Sequence, residues 1–234
     1  MEEKQMNKLQ KRMQVALQEM PLVAILRGLK PENAVIVGKT LVEGGLRILE
    51  VPLNSPDPFT SIDLLRKNLD HHIIVGAGTV LRDSDMDKLR DINADIAVMP
   101  HCNPTLIQKA LQCGLLPFPG VFTPTEAFCA IEAGAQYLKI FPANCNPLFP
   151  KAIKAVLPNH VKMLAVGGIR PNNLQDFPSV NGFGVGGSLF KPMMEQNQIA
   201  ENTEKLCEAT RLWMGNWDTT SYKLVWVYSK TTRR

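Results

Sequence analysis

A lysine and a glutamate stand inside two otherwise apolar segments of this chain, and each needs a chemical reason. Lys139 lies within QYLKIF (136–141), and Glu50 lies within LRILEV (46–51). Burial lowers the pKa of a lysine, and the neutral amine can attack a ketone to form a Schiff base. A neighbouring carboxylate could then move protons to and from the substrate. A buried structural ion pair is the alternative explanation of the same two residues.

Short apolar segments that could position these residues recur at similar intervals along the chain. They are PLVAIL (21–26), LRILEV (46–51), HIIVGA (72–77), ADIAVM (94–99), LLPFPG (115–120), QYLKIF (136–141), VKMLAV (161–166) and GFGVGG (182–187). Helical patterns fill the intervals, so the sequence predicts an α/β fold, a single closed (β/α)8 TIM barrel. A doubly wound open sheet is the alternative, but no G-x-G-x-x-G follows the first segment.

Prolines and glycines mark the expected ends of the helices. Helices are predicted to begin with a proline in first position at Pro31, Pro104, Pro124 and Pro171. Helices are predicted to end at Gly44-Gly45, Gly114 and Gly134. The residues Thr123-Pro124-Thr125-Glu126 also have the pattern of a capping box. A separate N-terminal helix, over residues 2–19, is expected to close the bottom of the barrel.

The alternation of side chains along a strand predicts where Glu50 and Lys139 point. Glu50 shares a face with Ile48 and Lys139 shares one with Tyr137, while the apolar residues between them suit the helix side. The two residues belong to the second and sixth strands, and alternate strands feed the same interior layer of a barrel. We therefore expect Glu50 and Lys139 to face each other at the barrel mouth, where active sites of this fold lie.

Two further side chains follow strand ends on the same side of the predicted barrel. Arg27 ends the first strand and Thr79 follows the third. Arg27 could hold a carboxylate through its planar guanidinium group. The alternatives are a solvated loop charge for Arg27 and a helix cap for Thr79.

Double glycines end the last two predicted strands, in AVGGIRP and GVGGSLF. The loops after these strands commonly bind phosphate in such barrels through backbone N–H groups and a helix N-terminus. The candidate residues are Gly167, Gly168, Gly186, Gly187 and Ser188. A tight turn is the alternative for either double glycine taken alone.

Bulk properties of the 234 residues exclude several classes of protein. No run of 18 apolar residues is present, and the charged N-terminus does not resemble a signal peptide, so we expect no membrane span. The formal net charge is +4, of which residues 217–234 supply +3, so we expect no nucleic-acid partner. Five cysteines without a C-x-x-C motif favour reduced thiols and a cytoplasmic protein. Histidine spacing gives no indication of a metal site.

Six motifs occur in an order and spacing that resemble the 2-dehydro-3-deoxy-phosphogluconate and 2-dehydro-3-deoxy-6-phosphogalactonate aldolases. They are AILRG, GGLRILEVPLNSP, VGAGTVL, PGVFTPTEAFCAIEAGAQYLKIFPA, AVGGI and GVGGSLF. The resemblance covers about residues 15–210. It implies a class I enzyme with Lys139 as the Schiff-base lysine and Glu50 as the general acid and base. It also implies a homotrimer that uses neither a metal ion nor a cofactor.

The resemblance also assigns the groups that would bind substrate. It implies that Arg27 and Thr79 contact the substrate carboxylate. It implies that the phosphate lies at Gly168 and at the turn formed by Gly187 and Ser188. These assignments come from the family, whereas the position of Lys139 and Glu50 follows from the strand pattern as well.

The residues beside Glu50 bear on which of two C4 epimers is cleaved. Pro52 and Asn54 stand where phosphogluconate-specific members of the resembled family tend to carry threonine and arginine. The chain therefore resembles the phosphogalactonate branch more closely. Activity on both epimers, with the phosphogalactonate preferred, is our expectation.

The chain departs from the resembled family in two places. Residues 1–210 are predicted to form the barrel domain, and 211–234, with its aromatic segment WDTTSYKLVWVYSKTTRR, a C-terminal extension of unknown role. The loop NCNPLFP after Lys139 also lacks an expected glycine. Two other functions remain open from the residues alone: a phosphosugar isomerase or epimerase that uses Glu50 as its base, and a phosphosugar-binding protein without activity.

Overall fold

The structure is a computed structural model that describes residues 2–215 of the chain, and it is a parallel barrel surrounded by helices. Its strands are β1 (Leu22–Ile25), β2 (Ile48–Pro52), β3 (Ile74–Gly78), β4 (Ile96–Val98), β5 (Leu116–Phe118), β6 (Gly120–Val121), β7 (Tyr137–Ile140), β8 (Lys162–Val166) and β9 (Gly182–Val185). Its helices are α1 (Glu2–Glu19), α2 (Pro31–Glu43), α3 (Pro58–Asn68), α4 (Asp83–Asp91), α5 (Pro104–Gln112), α6 (Pro124–Glu132), α7 (Phe149–Lys154) and α8 (Gln196–Gly215).

The sheet closes on itself at Pro119. Its strand order is β5-β4-β3-β2-β1-β9-β8-β7-β6, and the two outermost strands of this order are separated along the chain by Pro119 alone. Proline has no N–H group for the ladder, so the fifth strand is divided there into β5 and β6. The Pro119 carbonyl still accepts a hydrogen bond of 2.9 Å from the N–H of Lys139. The predicted (β/α)8 barrel is therefore confirmed, with β5 and β6 together as its fifth strand.

Alternate residues along each strand build two separate cores. The inside of the barrel is filled by Val23, Ile48, Ile74, Ile96, Val98, Leu116, Phe118, Tyr137 and Leu164. Residues at the intervening positions, such as Leu49 and Leu138, pack instead into the layer between strands and helices. The alternation predicted for the second and sixth strands is confirmed, because Ile48 and Tyr137 lie inside while Leu49 and Leu138 lie outside.

The N-terminal helix α1 closes the bottom of the barrel, as predicted. Its buried side chains Leu9, Met13 and Ala16 belong to the same core as the barrel interior. Arg12 on the same helix forms a salt bridge of 2.8 Å with Asp95, which is 5% exposed and directly precedes β4. A second salt bridge, of 3.0 Å, joins Glu19 on this helix to Arg47, so one apolar face and ion pairs hold α1 across the N-terminal ends of the strands.

Most of the predicted helix ends are confirmed. Pro31, Pro104 and Pro124 each begin a helix, and Thr123 and Glu126 form both halves of the capping box. The glycines at the three predicted helix ends include left-handed backbone conformations, with φ values of 111° at Gly45, 75° at Gly114 and 101° at Gly134.

The helix predicted to begin at Pro171 is wrong. Pro171 lies in a turn, and only a short 3-10 segment, Leu174–Asp176, stands between β8 and β9. Asn172 and Asn173 are poor helix formers, and Pro178 follows too soon for a full helix to develop.

The last helix, α8, crosses the predicted domain boundary at residue 210. It continues to Gly215, and Trp213 is 2% exposed with its ring 4.8 Å from that of Phe183. The remainder of the predicted extension, from residue 216 onward, lies outside the described residues. Within residues 2–215, no helix is both long and apolar enough to span a membrane.

Candidate active site

Glu50 and Lys139 meet inside the C-terminal end of the barrel. Glu50 comes from β2 and Lys139 from β7, and both line one small cavity of about 10 Å³. The rest of that cavity is lined by apolar side chains and one glycine, namely Val23, Ile25, Val98, Phe118, Leu164, Val166 and Gly184. The predicted placement of the two charged residues is therefore confirmed, and the space between them has room for about one water molecule.

Glu50 is buried, and its carboxylate has no hydrogen-bond partner among residues 2–215. The residue is 2% exposed, and no described residue donates a hydrogen bond to Oε2. Removal from water raises the pKa of Glu50, while the positive charges of Lys139 and Arg27 act in the opposite direction. A carboxyl group with a raised pKa is suited to accept and return a proton near neutral pH.

Lys139 is 7% exposed, and burial lowers the pKa of its amine. The charge of Glu50 opposes this shift, and the charge of Arg27 adds to it. Neither a hydrogen bond nor a salt bridge joins the side chains of Glu50 and Lys139. The pair is therefore coupled only through its electrostatic field, which leaves the amine and the carboxylate available to a ligand between them.

Arg27 is held at the mouth by two polar side chains from neighbouring loops. Its Nη1 donates a hydrogen bond of 2.5 Å to Asn54 Oδ1, and its Nη2 donates one of 3.4 Å to Thr79 Oγ1. The N-cap of α4 is Arg82, so Thr79 is not the helix cap considered above. Thr79 has a φ of 53°, a left-handed conformation that is uncommon for threonine and is found repeatedly at binding sites.

The glycine loops after β8 and β9 lie side by side at the same end of the barrel, because these strands pair in the sheet. Gly167 and Gly168 have φ values of 104° and 70°, which favour glycine. Ser188 Oγ donates a hydrogen bond of 2.8 Å to the carbonyl of Ile169 and so ties the two loops together. Gly168 and Gly187 are exposed.

The backbone of these loops offers unused donors. Within the described part of the chain, the N–H groups of Gly168, Gly187 and Ser188 donate to no other residue. A Cβ at Gly187 would meet nothing closer than Lys191 Cε at 3.9 Å, so open space lies in front of this turn. The expected helix N-terminus is absent there, since the chain makes a single turn after Gly186 and α8 begins only at Gln196.

Sequence reasoning missed three residues of this site. A Cβ on Gly78 would lie 2.0 Å from Glu50 Oε2, so the glycine makes room for the carboxylate. The Ser55 hydroxyl accepts a hydrogen bond of 2.9 Å from the N–H of Gly28 and fixes the loop that carries Arg27. The centre of the Phe141 ring lies 4.7 Å from Lys139 Nζ. The sequence offered one signal, for Gly78 alone: the glycines of VGAG recur at alternate positions, on the inward face of the strand beside Glu50.

A larger cavity, of about 270 Å³, lies between the loop after β1 and the start of α8. It contains neither Glu50 nor Lys139, and its lining mixes apolar residues such as Ile36 and Phe190 with Lys30 and Glu195. In the part of the chain that the structure describes, no three or more His, Cys, Asp or Glu residues are grouped so that they could hold a metal ion.

Comparison with known proteins identifies the family to which this barrel belongs. The family model for KDPG and KHG aldolase matches residues 13–206. The chain belongs to the KDPG and KHG aldolase family. A probable 2-dehydro-3-deoxy-6-phosphogalactonate aldolase of Rhizobium meliloti is 44% identical over 186 residues, which are 78% of this chain and 88% of the relative.

Two further matches extend the comparison. The 2-dehydro-3-deoxy-6-phosphogalactonate aldolase of Escherichia coli is 36% identical over 196 residues, covering 82% of this chain and 96% of that protein. A solved structure described as native KDPGal superposes with a TM-score of 0.82 at 36% identity, covering 84% of this chain and 97% of the other. The barrel of this aldolase-family member is thus matched along nearly the whole of its relatives.

Proposed function

We propose that this protein is a class I aldolase, an aldehyde-lyase that reversibly cleaves a 2-keto-3-deoxy-6-phospho sugar acid to pyruvate and glyceraldehyde 3-phosphate. One observation carries the proposal: a buried lysine with a lowered pKa faces a buried carboxylate whose Oε2 has no hydrogen-bond partner in the described part of the chain. A purely structural ion pair would be expected to join the two groups by hydrogen bonds. Membership of the KDPG and KHG aldolase family supports the same activity.

In the proposed reaction, the neutral amine of Lys139 attacks C2 of the keto acid, and the C2 oxygen leaves as water. The resulting iminium withdraws electrons from the C3–C4 bond. Glu50 takes the proton from the C4 hydroxyl, the bond breaks, and glyceraldehyde 3-phosphate leaves behind an enamine. Protonation at C3 and addition of water then release pyruvate and restore the amine. Glu50 is proposed to carry these protons, because its side chain lines the same cavity as Lys139.

We assign the two ends of the substrate to the two polar regions of the mouth. Arg27 would bind the carboxylate with Thr79 beside it, since the Arg27 guanidinium donates to both Asn54 and Thr79 and is already oriented. The phosphate would bind the unused N–H groups of Gly168, Gly187 and Ser188, because backbone donors in glycine-rich turns suit an anion.

Trapping with pyruvate and borohydride tests the proposed function. Borohydride reduces an imine to a stable amine, so a pyruvate-derived adduct should be found by mass spectrometry on the peptide that contains Lys139. The Lys139→Met variant should give no adduct under the same conditions. Turnover of a phosphosugar without an adduct would favour an isomerase or epimerase that uses Glu50 alone, and an adduct on Lys151 or Lys154 would also contradict the proposal.

We further propose a preference for 2-keto-3-deoxy-6-phosphogalactonate over its C4 epimer. Asn54 holds Arg27 through a hydrogen bond instead of supplying a second cation, and the epimers differ at the carbon whose hydroxyl is deprotonated. The names of the two relatives compared above, both phosphogalactonate aldolases, support this choice. The measurement is kcat/KM for both epimers with one preparation, and a tenfold or greater preference for the phosphogluconate would contradict it.

A homotrimer in the cytoplasm is our proposal for the assembly and its location. Several large apolar side chains are exposed, among them Leu148 at 72% and Val156 at 61%, and a contact between copies would cover such residues. The free cysteines of the described chain suit a reducing compartment. Light scattering coupled to size exclusion should give three times the mass of 26.0 kDa, and a monomeric mass would contradict the trimer.

A further inference from the structure

The aromatic ring of Phe141 lies against the amine that the reaction would use. Phe141 follows β7 directly and continues the alternation that turns Lys139 inward. Lys139 Nζ lies 4.7 Å from the centre of the Phe141 ring. The ring is 37% exposed, whereas Lys139 is 7% exposed, so Phe141 stands at the mouth and covers the amine from outside.

Few groups compete for the charge of this amine. Glu50 approaches from β2 and Arg27 from the loop after β1, and these are the charged groups whose fields act on Lys139. The other side chains around the shared cavity are apolar. The face of an aromatic ring is negative in its quadrupole and attracts a cation, most strongly where water is excluded. Phe141 therefore provides a contact that favours positive charge on the nitrogen.

We infer that Phe141 is a further catalytic residue, whose ring face stabilises the cationic nitrogen of Lys139 both in the ammonium and in the iminium. The inference rests on the proposed aldolase function. When the neutral amine and a ketone combine with one proton, they give an iminium and one water, so the nitrogen gains a positive charge in front of the ring. The ring thus favours the iminium over the neutral amine and keeps the bond-breaking intermediate populated.

This role predicts a specific response when the ring is removed. In Phe141→Leu the amine should lose its proton more readily, and the pKa of Lys139 should fall by about 0.4–1.5 units. The fraction of enzyme trapped by pyruvate and borohydride should fall by roughly twofold to thirtyfold at a pH where the wild-type amine is neutral. Phe141→Tyr keeps the ring face and should restore both quantities.

The pKa can be measured from the pH dependence of Lys139 modification by an amine-specific reagent, with the modified peptide located by mass. Replacement of Phe141 by 3,4,5-trifluorophenylalanine keeps the shape of the ring but removes its negative face, so it should shift the pKa in the same direction as leucine. The fluorinated variant also keeps the test decisive if the leucine variant fails to fold. Phe122→Leu is the matched control, since Phe122 is 38% exposed and packs near Phe149 at 6.3 Å.

The outcomes separate this inference from the function on which it rests. If wild-type enzyme gives no adduct on Lys139, the proposed aldolase function fails. If wild-type enzyme gives the adduct but the leucine and trifluorophenylalanine variants keep the wild-type pH profile and trapped fraction, only the role of Phe141 is overturned. An equal shift in Phe122→Leu would likewise overturn it, because the effect would then not depend on the ring above Lys139.

Discussion

At the scale of single residues, the Glu50 carboxylate has room in the site because a neighbouring residue has no side chain. Gly78 on β3 has no side chain where Glu50 Oε2 lies, and a Cβ there would approach it to 2.0 Å. Gly76, two residues earlier on the same strand, faces backbone instead, with a Cβ position 2.2 Å from the Ile96 carbonyl oxygen. The two glycines therefore serve different purposes, one for the site and the other for strand packing.

Gly78→Ala should lower activity more than stability. The new methyl group would displace the Glu50 carboxylate, which is the flexible end of a side chain and can move. A misplacement of about 1 Å near reacting atoms can reduce turnover by roughly 10²-fold. Steady-state kinetics and thermal unfolding of the same preparation measure the two effects. Gly76→Ala is the comparison, and it should mainly lower the unfolding temperature; the opposite pattern would contradict this division of roles.

Glu50→Gln should separate proton transfer from folding. Glutamine keeps the volume of the side chain and removes the base, so kcat should fall by roughly 10²–10⁴-fold. The variant should still fold, because Glu50 Oε2 makes no hydrogen bond to any residue that the structure describes. Circular dichroism and kcat per folded molecule provide the check. A variant that unfolds while its folded fraction keeps full activity would show that Glu50 is only a structural partner of Lys139.

At the scale of secondary-structure elements, one carboxylate joins α1, α3 and the sheet. Asp95 accepts hydrogen bonds from Arg12 on α1 at 2.8 Å and from the N–H of Val75 on β3 at 3.0 Å. Arg66 on α3 forms a salt bridge of 3.0 Å with the same carboxylate. The bottom of the barrel is thus fastened by a single buried charge shared among three elements.

Asp95→Asn should destabilise the fold without changing the chemistry. Two arginines would remain partly buried without their anion, and loss of one member of a buried ion pair costs about 3–5 kcal/mol. Urea unfolding measures the free energy of unfolding, and kcat per folded molecule should be unaltered. Asp63→Asn is the control, because its partner Lys67 is 68% exposed and such a pair is worth less than about 1 kcal/mol. Equal effects of the two substitutions would contradict the role given to Asp95.

The element scale also shows what could be predicted from the sequence. Strand periodicity was sufficient to turn Glu50 and Lys139 inward, because the alternation of side chains is a local property of the backbone. It did not predict the break at Pro119, which has no N–H group, or the missing helix at Pro171, where two asparagines and a second proline oppose helix formation. Contacts between strands, such as that of Gly78 with Glu50, depend on how neighbouring strands are aligned. The alternation of side chains within a single strand does not give this alignment.

At the scale of the whole molecule, the buried pair costs stability in return for reactivity. Burial raises the pKa of Glu50, so its contribution to stability falls as the pH rises above 4.5. Burial lowers the pKa of Lys139, so the penalty for its charge recedes as the pH rises toward 10.5. Between pH 4.5 and pH 10.5, burial makes the charged forms of Glu50 and Lys139 less favourable in the folded protein than in water.

The double variant Glu50→Gln/Lys139→Met should therefore be inactive and more stable than the wild type. Replacement of a buried ion pair by uncharged side chains of similar size is often stabilising by about 1–4 kcal/mol. Urea unfolding at neutral pH gives the comparison. The single variant Lys139→Met is the control, since it leaves the Glu50 carboxyl buried without its neighbouring cation. A double variant that is less stable than both the wild type and this control would show that the pair holds the fold together.

The closed bottom of the barrel has a kinetic consequence. Because α1 seals one end, everything that reaches Lys139 must enter and leave through the same opening. In the proposed reaction, the half of the substrate attached to the amine would lie innermost, and the half that carries the phosphate would lie in front of it. The aldehyde must therefore depart first and pyruvate last. Pyruvate should then inhibit cleavage competitively and glyceraldehyde 3-phosphate noncompetitively, whereas the reverse pattern would require a second exit. A pocket with a single opening thus fixes the order of product release, because the inner product cannot pass the outer one.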